Sequence, residues 1–223
     1  MPRTGRPREF DRNKAIEAAL ALFWSQGYEP TSLSQLKACM GDISPASFYA
    51  AFGSKEALFR EVVERYLQTH GQVTTSLHDQ TLPPREAIET ALRRSARMQT
   101  AHSHPPGCFM ILGASNCSPE NSHVGDLLAA ERARNRRGIK ACVARAIANG
   151  ELASSTNVDA LTTAFDTFLV GIAVEARDGA KARKLDAAIT LLMRLWDFNA
   201  ADLDSSRGRR AISLVAPANP EVS

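Results

Sequence analysis

The stretch TSLSQLKACMGDISPASFYAAFGSKEALF, Thr31 to Phe59, crowds two helix starts and a helix stop into little space, and little but a helical hairpin can accommodate them. Ser32 with Gln35 three residues on has the spacing of a capping box, in which each side chain satisfies an orphan amide at a helix start. Leu33, Leu36 and Met40 then share one face at helical spacing. Gly41 stands where a left-handed residue ends a helix. Ser44 followed by Pro45 restarts one, because proline at the first helical position forfeits no useful donor. Phe48 and Phe52, one turn apart, face inward, leaving Ala46, Tyr49 and Ala50 outward. This is the pattern of a helix-turn-helix, whose second helix enters a DNA major groove.

The run ISPASFYAAFGSKEALF resembles the recognition helix and following helix of the TetR family of bacterial transcriptional regulators. Ser44, Ser47, Phe48, Tyr49, Phe52 and Lys55 fill that family's pattern, and the upstream LFWSQGYEPTSL is similar to its first helix and turn. Asp42 makes the inter-helix turn one residue longer than the pattern. Lys55 agrees with the resemblance on physical grounds. A cation in a helix's first turn opposes the macrodipole, and a DNA phosphate bound at that terminus would compensate it.

At 223 residues with 44% apolar and 23% charged side chains, the chain can bury a sizeable core. Its net charge of +3 excludes a general polyanion binder, so nucleic-acid binding must come from local placement of charge. No apolar run reaches the ~18–20 residues that span a bilayer, and the Arg-rich start lacks the apolar segment of a secretory signal. Cys39, Cys108, Cys117 and Cys142 show no disulfide spacing and are expected to be reduced. The expectation is a cytoplasmic protein without membrane partners.

Residues 1–9 (MPRTGRPRE) read as a flexible basic arm. Arg6 and Arg8 flank Pro7 in the narrow extended form that enters an A·T-rich minor groove. Residues 10–55 form the helix-turn-helix domain, opened by Asp11 as cap and an inward stripe of Ile16, Ala19, Leu20 and Phe23. Residues 56–200 form a larger helical domain for effector binding and dimerisation. It continues from Glu56 through a stripe of Leu58, Phe59, Val62, Val63 and Tyr66, a loop over 78–84, and a helix from Arg85. The run HSHPPGC interrupts it, a short apolar helix or turn (FMILGAS) follows, and Val124 to Asn149 makes a long helix. That helix's basic face (Arg132, Arg134, Arg136, Arg137, Lys140) reads as solvated. Val158, Leu161, Phe165, Phe168, Leu169 and Ile172 form one late stripe; Leu185, Ile189, Leu192, Leu195 and Trp196 form another. Gly171 permits a close helix approach, and residues 201–223 read as a disordered tail. With no repeat and no strand signal, the fold class is all-α.

Serine, histidine and acids occur, but none lies in a nucleophile elbow or beside a glycine-rich phosphate loop, so an enzyme is not expected. His102, His104, Cys108, Met110, Cys117 and His123 offer ligands that suit Cu(I) or Zn²⁺, in a spacing that matches no metal motif. PPGCFMI and the ending LMRLW are similar to TetR-family repressors controlling a copper-related outer-membrane protein. Related regulators with Gly-Cys at this point respond to small electrophiles or organic acids. The resemblance implies a homodimer whose last two helices pair with their copies, acting on a double-stranded palindromic operator as a repressor released by an effector. For DNA contact it and the helix geometry select Thr31 and Ser32 toward phosphate. Pro45, Ala46, Ser47 and Ala50 face the bases, Tyr49 and Lys55 hold the backbone, and Ser44 completes the DNA-binding set. The effector site is expected at Cys108, Phe109, Met110, Phe165 and Phe168, with no cofactor or fixed metal and a small-molecule or soft-metal effector. The competing reading is a metal- or thiol-reactive sensor whose helix-turn-helix contacts a protein partner.

Overall fold

The computed structural model describes residues 10–114 and 117–200; the Arg6–Arg8 arm and the tail from residue 201 lie outside them. Every named element within them is helical.

α1 (Arg12–Gln26) starts where the Asp11 carboxylate accepts the Lys14 amide at 3.1 Å and stops at Gly27, whose φ of 88° a side chain would oppose. α2 (Leu33–Cys39) carries the full capping box: Gln35 N donates to Ser32 Oγ at 3.2 Å, and Ser32 N donates to Gln35 Oε1 at 2.8 Å. Gly41 and Asp42 turn the chain with successive positive φ of 89° and 57°. The extra residue of this turn is thus absorbed by left-handed backbone, which Asp tolerates better than most side chains. α3 (Pro45–Phe52) is capped by Ser44, and α4 (Lys55–Gln68) by Ser54.

After α4 comes a 3₁₀ segment, His70–His78, then α5 (Pro84–Gln99), a one-turn α6 (Phe109–Leu112) and a 3₁₀ turn at Pro119–Asn121. α7 (Ser122–Ala148), α8 (Val158–Arg177) and α9 (Ala182–Phe198) complete the described chain. None of the described helices is long and apolar enough to cross a membrane.

Two apolar cores result. The first joins α1–α4 to Phe109, Met110, Val124 and Leu128. The second joins α5, the later half of α7, α8 and α9 around Phe165, Ile189 and Trp196. A boundary drawn at residue 55 therefore falls at the foot of a helix whose whole buried stripe, Leu58 to Tyr66, belongs to the first core. α4 is the beam between α1–α3 and α6.

Candidate nucleic-acid interface and effector cavity

α3 is held by its inner face alone. Phe48 and Phe52 are buried, and Phe10 packs edge-on to Phe52 at 6.0 Å. Arg12 lies over the Phe52 ring at 5.1 Å while its guanidinium reaches Glu61 at 2.6 Å, tying α1, α3 and α4 together. Sequence patterning gave no sign of that clamp. Ser44, Pro45, Ala46, Ser47, Tyr49 and Ala50 are all exposed, with Tyr49 at 51%. Ser44 Oγ accepts the Ser47 amide and sits 2.9 Å from Ser47 Oγ, so the cap also fixes the Ser47 hydroxyl on the outward face. Ser32 is exposed as well.

Thr31 departs from expectation. Its side chain is fully buried and its hydroxyl donates to Gly27 O at 2.6 Å, so it closes the α1–α2 turn and is turned away from any phosphate. Lys55 occupies the first position of α4, half-buried. Its Nζ stands 4.3 Å above the Tyr28 ring and 3.4 Å from Glu29 O. Ring quadrupole and carbonyl supply the compensation that the sequence reading gave to phosphate alone, and burial draws its pKa down from the ordinary lysine value.

A cavity of about 280 Å³ lies between the end of α4, the 3₁₀ segment and α5–α8. Cys108, Met110 and Ile111 line one wall, Leu169 and Val170 another. Cys108 Sγ sits 3.3 Å from Tyr66 Oη, a direct link to α4. Burial pushes the Cys108 thiol above its ordinary pKa, outweighing the Tyr66 hydrogen bond and nearby amides that favour the thiolate. Ser95 Oγ and Gln99 Oε1, both on buried side chains of the lining, have no hydrogen-bond partner.

Three aromatic assignments are corrected by packing. Phe109 points into the first core, 5.5 Å from both Phe59 and Tyr66. Phe165 packs 6.2 Å from Trp196 in the second core. Phe168 lines an open groove between α8 and α9 with Gly171 and Leu192. A Cβ on Gly171 would meet nothing within 4 Å, so no helix among the described residues exploits that glycine.

The basic face of α7 is not simply solvated either. Arg136 pairs at 2.6 Å with Asp166, whose side chain is 5% exposed, and Arg132 donates to Met110 O at 2.6 Å. An acid inside the apolar run of α8 was the available signal for this pair. Two imidazoles serve as packing, His104 stacking on Trp24 at 4.5 Å and His70 meeting His104 edge-on at 4.7 Å, while His123 lies 3.2 Å from the Glu56 carboxylate. Among the described residues no three His, Cys, Asp or Glu side chains gather to hold a metal.

Known proteins share this arrangement. The model for tetR-family bacterial regulatory proteins matches residues 15–62, and the tetracycline repressor-like C-terminal domain model matches 84–192. The Escherichia coli repressor ComR is 32% identical over 196 residues, covering 86% of this chain and 91% of that one. The E. coli repressor BdcR is 33% identical over 116 residues, 52% of this chain and 58% of that one. A cysteine-substituted form of the regulator CifR, solved with 26-base-pair operator DNA, is 39% identical. It superimposes with a TM-score of 0.77 over 86% of this chain and 100% of that one. The chain belongs to the TetR family of bacterial regulatory proteins.

Proposed function

We propose that this chain is a homodimeric transcriptional repressor that binds a palindromic operator through α2 and α3 and is released by a small molecule entering the cavity beside Cys108. The observation that carries the reading is the two-sided α3: an inner face locked by Phe48 and Phe52, and an outer face of short side chains and Tyr49 that none of the described residues covers. Pro45, Ala46 and Ala50 offer only apolar groups, which in a major groove suit thymine methyls. Base readout then falls to Ser47, thymine contacts and the Arg6–Arg8 arm, while Ser32, Tyr49 and Lys55 hold the sugar–phosphate backbone. The dimer face is α8–α9, where Val174, Leu191, Leu195 and Phe198 stay exposed beside the Phe168 groove.

For the effector, about 280 Å³ is roughly twice a cavity known to admit benzene. A compound of about a dozen heavy atoms fits, with an apolar body against Leu169 and Val170 and a donor for Gln99 Oε1. The neutral Cys108 thiol favours reversible binding. A soft metal or electrophile acting there must first remove its proton. On this reading the protein binds and releases without turnover, in the cytoplasm where the chromosome lies.

The test is DNA affinity against salt, using duplexes selected by the protein from a random library. Each lysine–phosphate contact contributes about 0.9 to the slope of log K on log salt. Lys55→Ala, present twice per dimer, should therefore lower the slope by roughly 1.8. A helix-turn-helix that contacts a protein instead would select no duplex and show no such slope.

A further inference from the structure

The end of α1 and the turn that leads from it to α2, residues 25–30, form a segment gripped from the far domain at several points. Tyr28 N donates to Gly113 O at 2.7 Å. The Glu29 carboxylate accepts Ser118 N at 2.6 Å through Oε2 and Asn121 Nδ2 at 3.2 Å through Oε1. Arg177, at the end of α8, donates to Ser25 O at 2.6 Å. The same turn holds the DNA side. Its Tyr28 ring and Glu29 carbonyl carry Lys55, Thr31 closes it onto Gly27 O, and Ser32 starts α2 immediately after.

Its outer grips flank α6, which is rigidly connected to the cavity. Leu112 N donates to Cys108 O at 2.9 Å and Gly113 N to Phe109 O at 2.8 Å, so Cys108 and Gly113 close opposite ends of one helical turn. At 1.5 Å per residue they lie about 7.5 Å apart along its axis. A displacement of the Cys108 wall must therefore carry Gly113 with it. Tyr28 cannot follow freely, because its ring is wedged 4.9 Å from Phe59.

We propose that Glu29 is the coupling residue between the effector cavity and the DNA-binding surface, its carboxylate clamping the chain after α6 to the turn that carries α2 and Lys55. The inference rests on the effector-release reading above. An occupant of the cavity that shifts α6 opens the clamp, and the turn then no longer fixes Lys55 and the start of α2 together. A charge-assisted bond to a main-chain amide is suited to this work, being roughly twice as strong as a neutral one and tightly directed. Glu29 is a positioning residue: it touches neither effector nor DNA.

Linkage gives a test that needs no effector. If opening the clamp lowers operator affinity, operator binding must by the same factor favour the closed clamp. The amide of Ser118 reports this directly through hydrogen exchange, measured on the full chain with and without a duplex selected from a random library. Operator binding is expected to slow Ser118 exchange at least tenfold. In Glu29→Ala the slowing disappears, and Glu29→Gln, which keeps an acceptor of equal reach, restores part of it. A carboxylate that only stabilised the fold would change unfolding of the variants and leave the DNA-dependent slowing intact. No slowing in the unaltered protein, or slowing that persists in Glu29→Ala, overturns the coupling role while leaving repression itself standing. Failure to bind any selected duplex overturns the DNA-binding reading and this inference together.

Discussion

Gly107→Ala offers a sharp test of how the cavity wall is built, because the structure separates two costs that usually arrive mixed. Gly107 has φ +89°, and a Cβ there would stand 2.5 Å from Leu112 Cδ1 and 2.8 Å from Ala173 O. The leucine tip can swing away; the carbonyl cannot, being part of the main chain of α8. Positive φ alone costs alanine about 1–2 kcal/mol. Forcing the loop off α8 adds about 1–3 kcal/mol, as overpacking does elsewhere. Gly150 and Gly179 have φ of +77° and +90° with nothing within 4 Å of a Cβ, so their alanine variants bear the first cost only. At about 2–4 °C per kcal/mol for a chain of this size, Gly107→Ala should melt roughly 5–15 °C below the parent and clearly below both controls. Urea unfolding read by tryptophan fluorescence checks the order, since Trp24 and Trp196 sit in different cores. If all three variants lose the same stability within about 0.5 kcal/mol, the close approach of α8 to the Cys108 loop is not a real constraint.

Arg136→Ala should destabilise the protein at pH 7 by about 1–3 kcal/mol, since Asp166 is left buried without its partner; adding Asp166→Asn should recover part of the loss in urea titrations, and no recovery would refute the pairing. Leu191→Glu or Leu195→Glu, at side chains 60% and 42% exposed in the single chain, should give folded monomers by light scattering, whereas intact dimers would place the interface elsewhere. The raised Cys108 pKa sets the sign of a pH effect. As pH climbs through the ordinary thiol range the unfolded chain loses this proton first, so stability falls there with rising pH, and Cys108→Ser should flatten that fall. The same thiol should react with iodoacetamide more slowly at pH 7 than a free cysteine; reaction at the free-thiol rate would show an ionised site.

What the sequence showed best was what local chemistry alone decides. Asp11, Ser32 with Gln35, Ser44 and Gly27 each act within a few residues along the chain, and each starts or stops its helix as its side chain dictates. The segment His70–His78 escaped because HGQVTTSLH has no helical period of its own. It is shaped from outside: Ser76 donates to Ala87 O in α5, and a Cβ on Gly138 of α7 would lie 2.9 Å from Leu77 Cβ. Packing between two helices distant in sequence makes the 3₁₀ segment, and no local pattern records it.

The misplaced site residues fail for a related reason. Phe165 and Phe168 are three apart on one helix, so periodicity puts them on one stripe, yet α8 is contacted on different sides by different helices. A stripe wide enough to meet several neighbours says that a side chain is apolar and turned inward, not which neighbour receives it. Thr31 shows the same limit for a polar group. Two hydroxyls stand side by side at the start of α2, and either could reach a phosphate by reach alone. Ser32 takes the cap; Thr31 is left the carbonyl of Gly27, which the positive φ of that glycine turns toward it. Assigning the pair required knowing how the α1–α2 turn closes. That closure also brings Glu29 to Ser118, a pairing across 89 residues of chain. Residues that act through their own helix are therefore legible early, and those that join the DNA-facing helices to the cavity become legible only once the chain has folded.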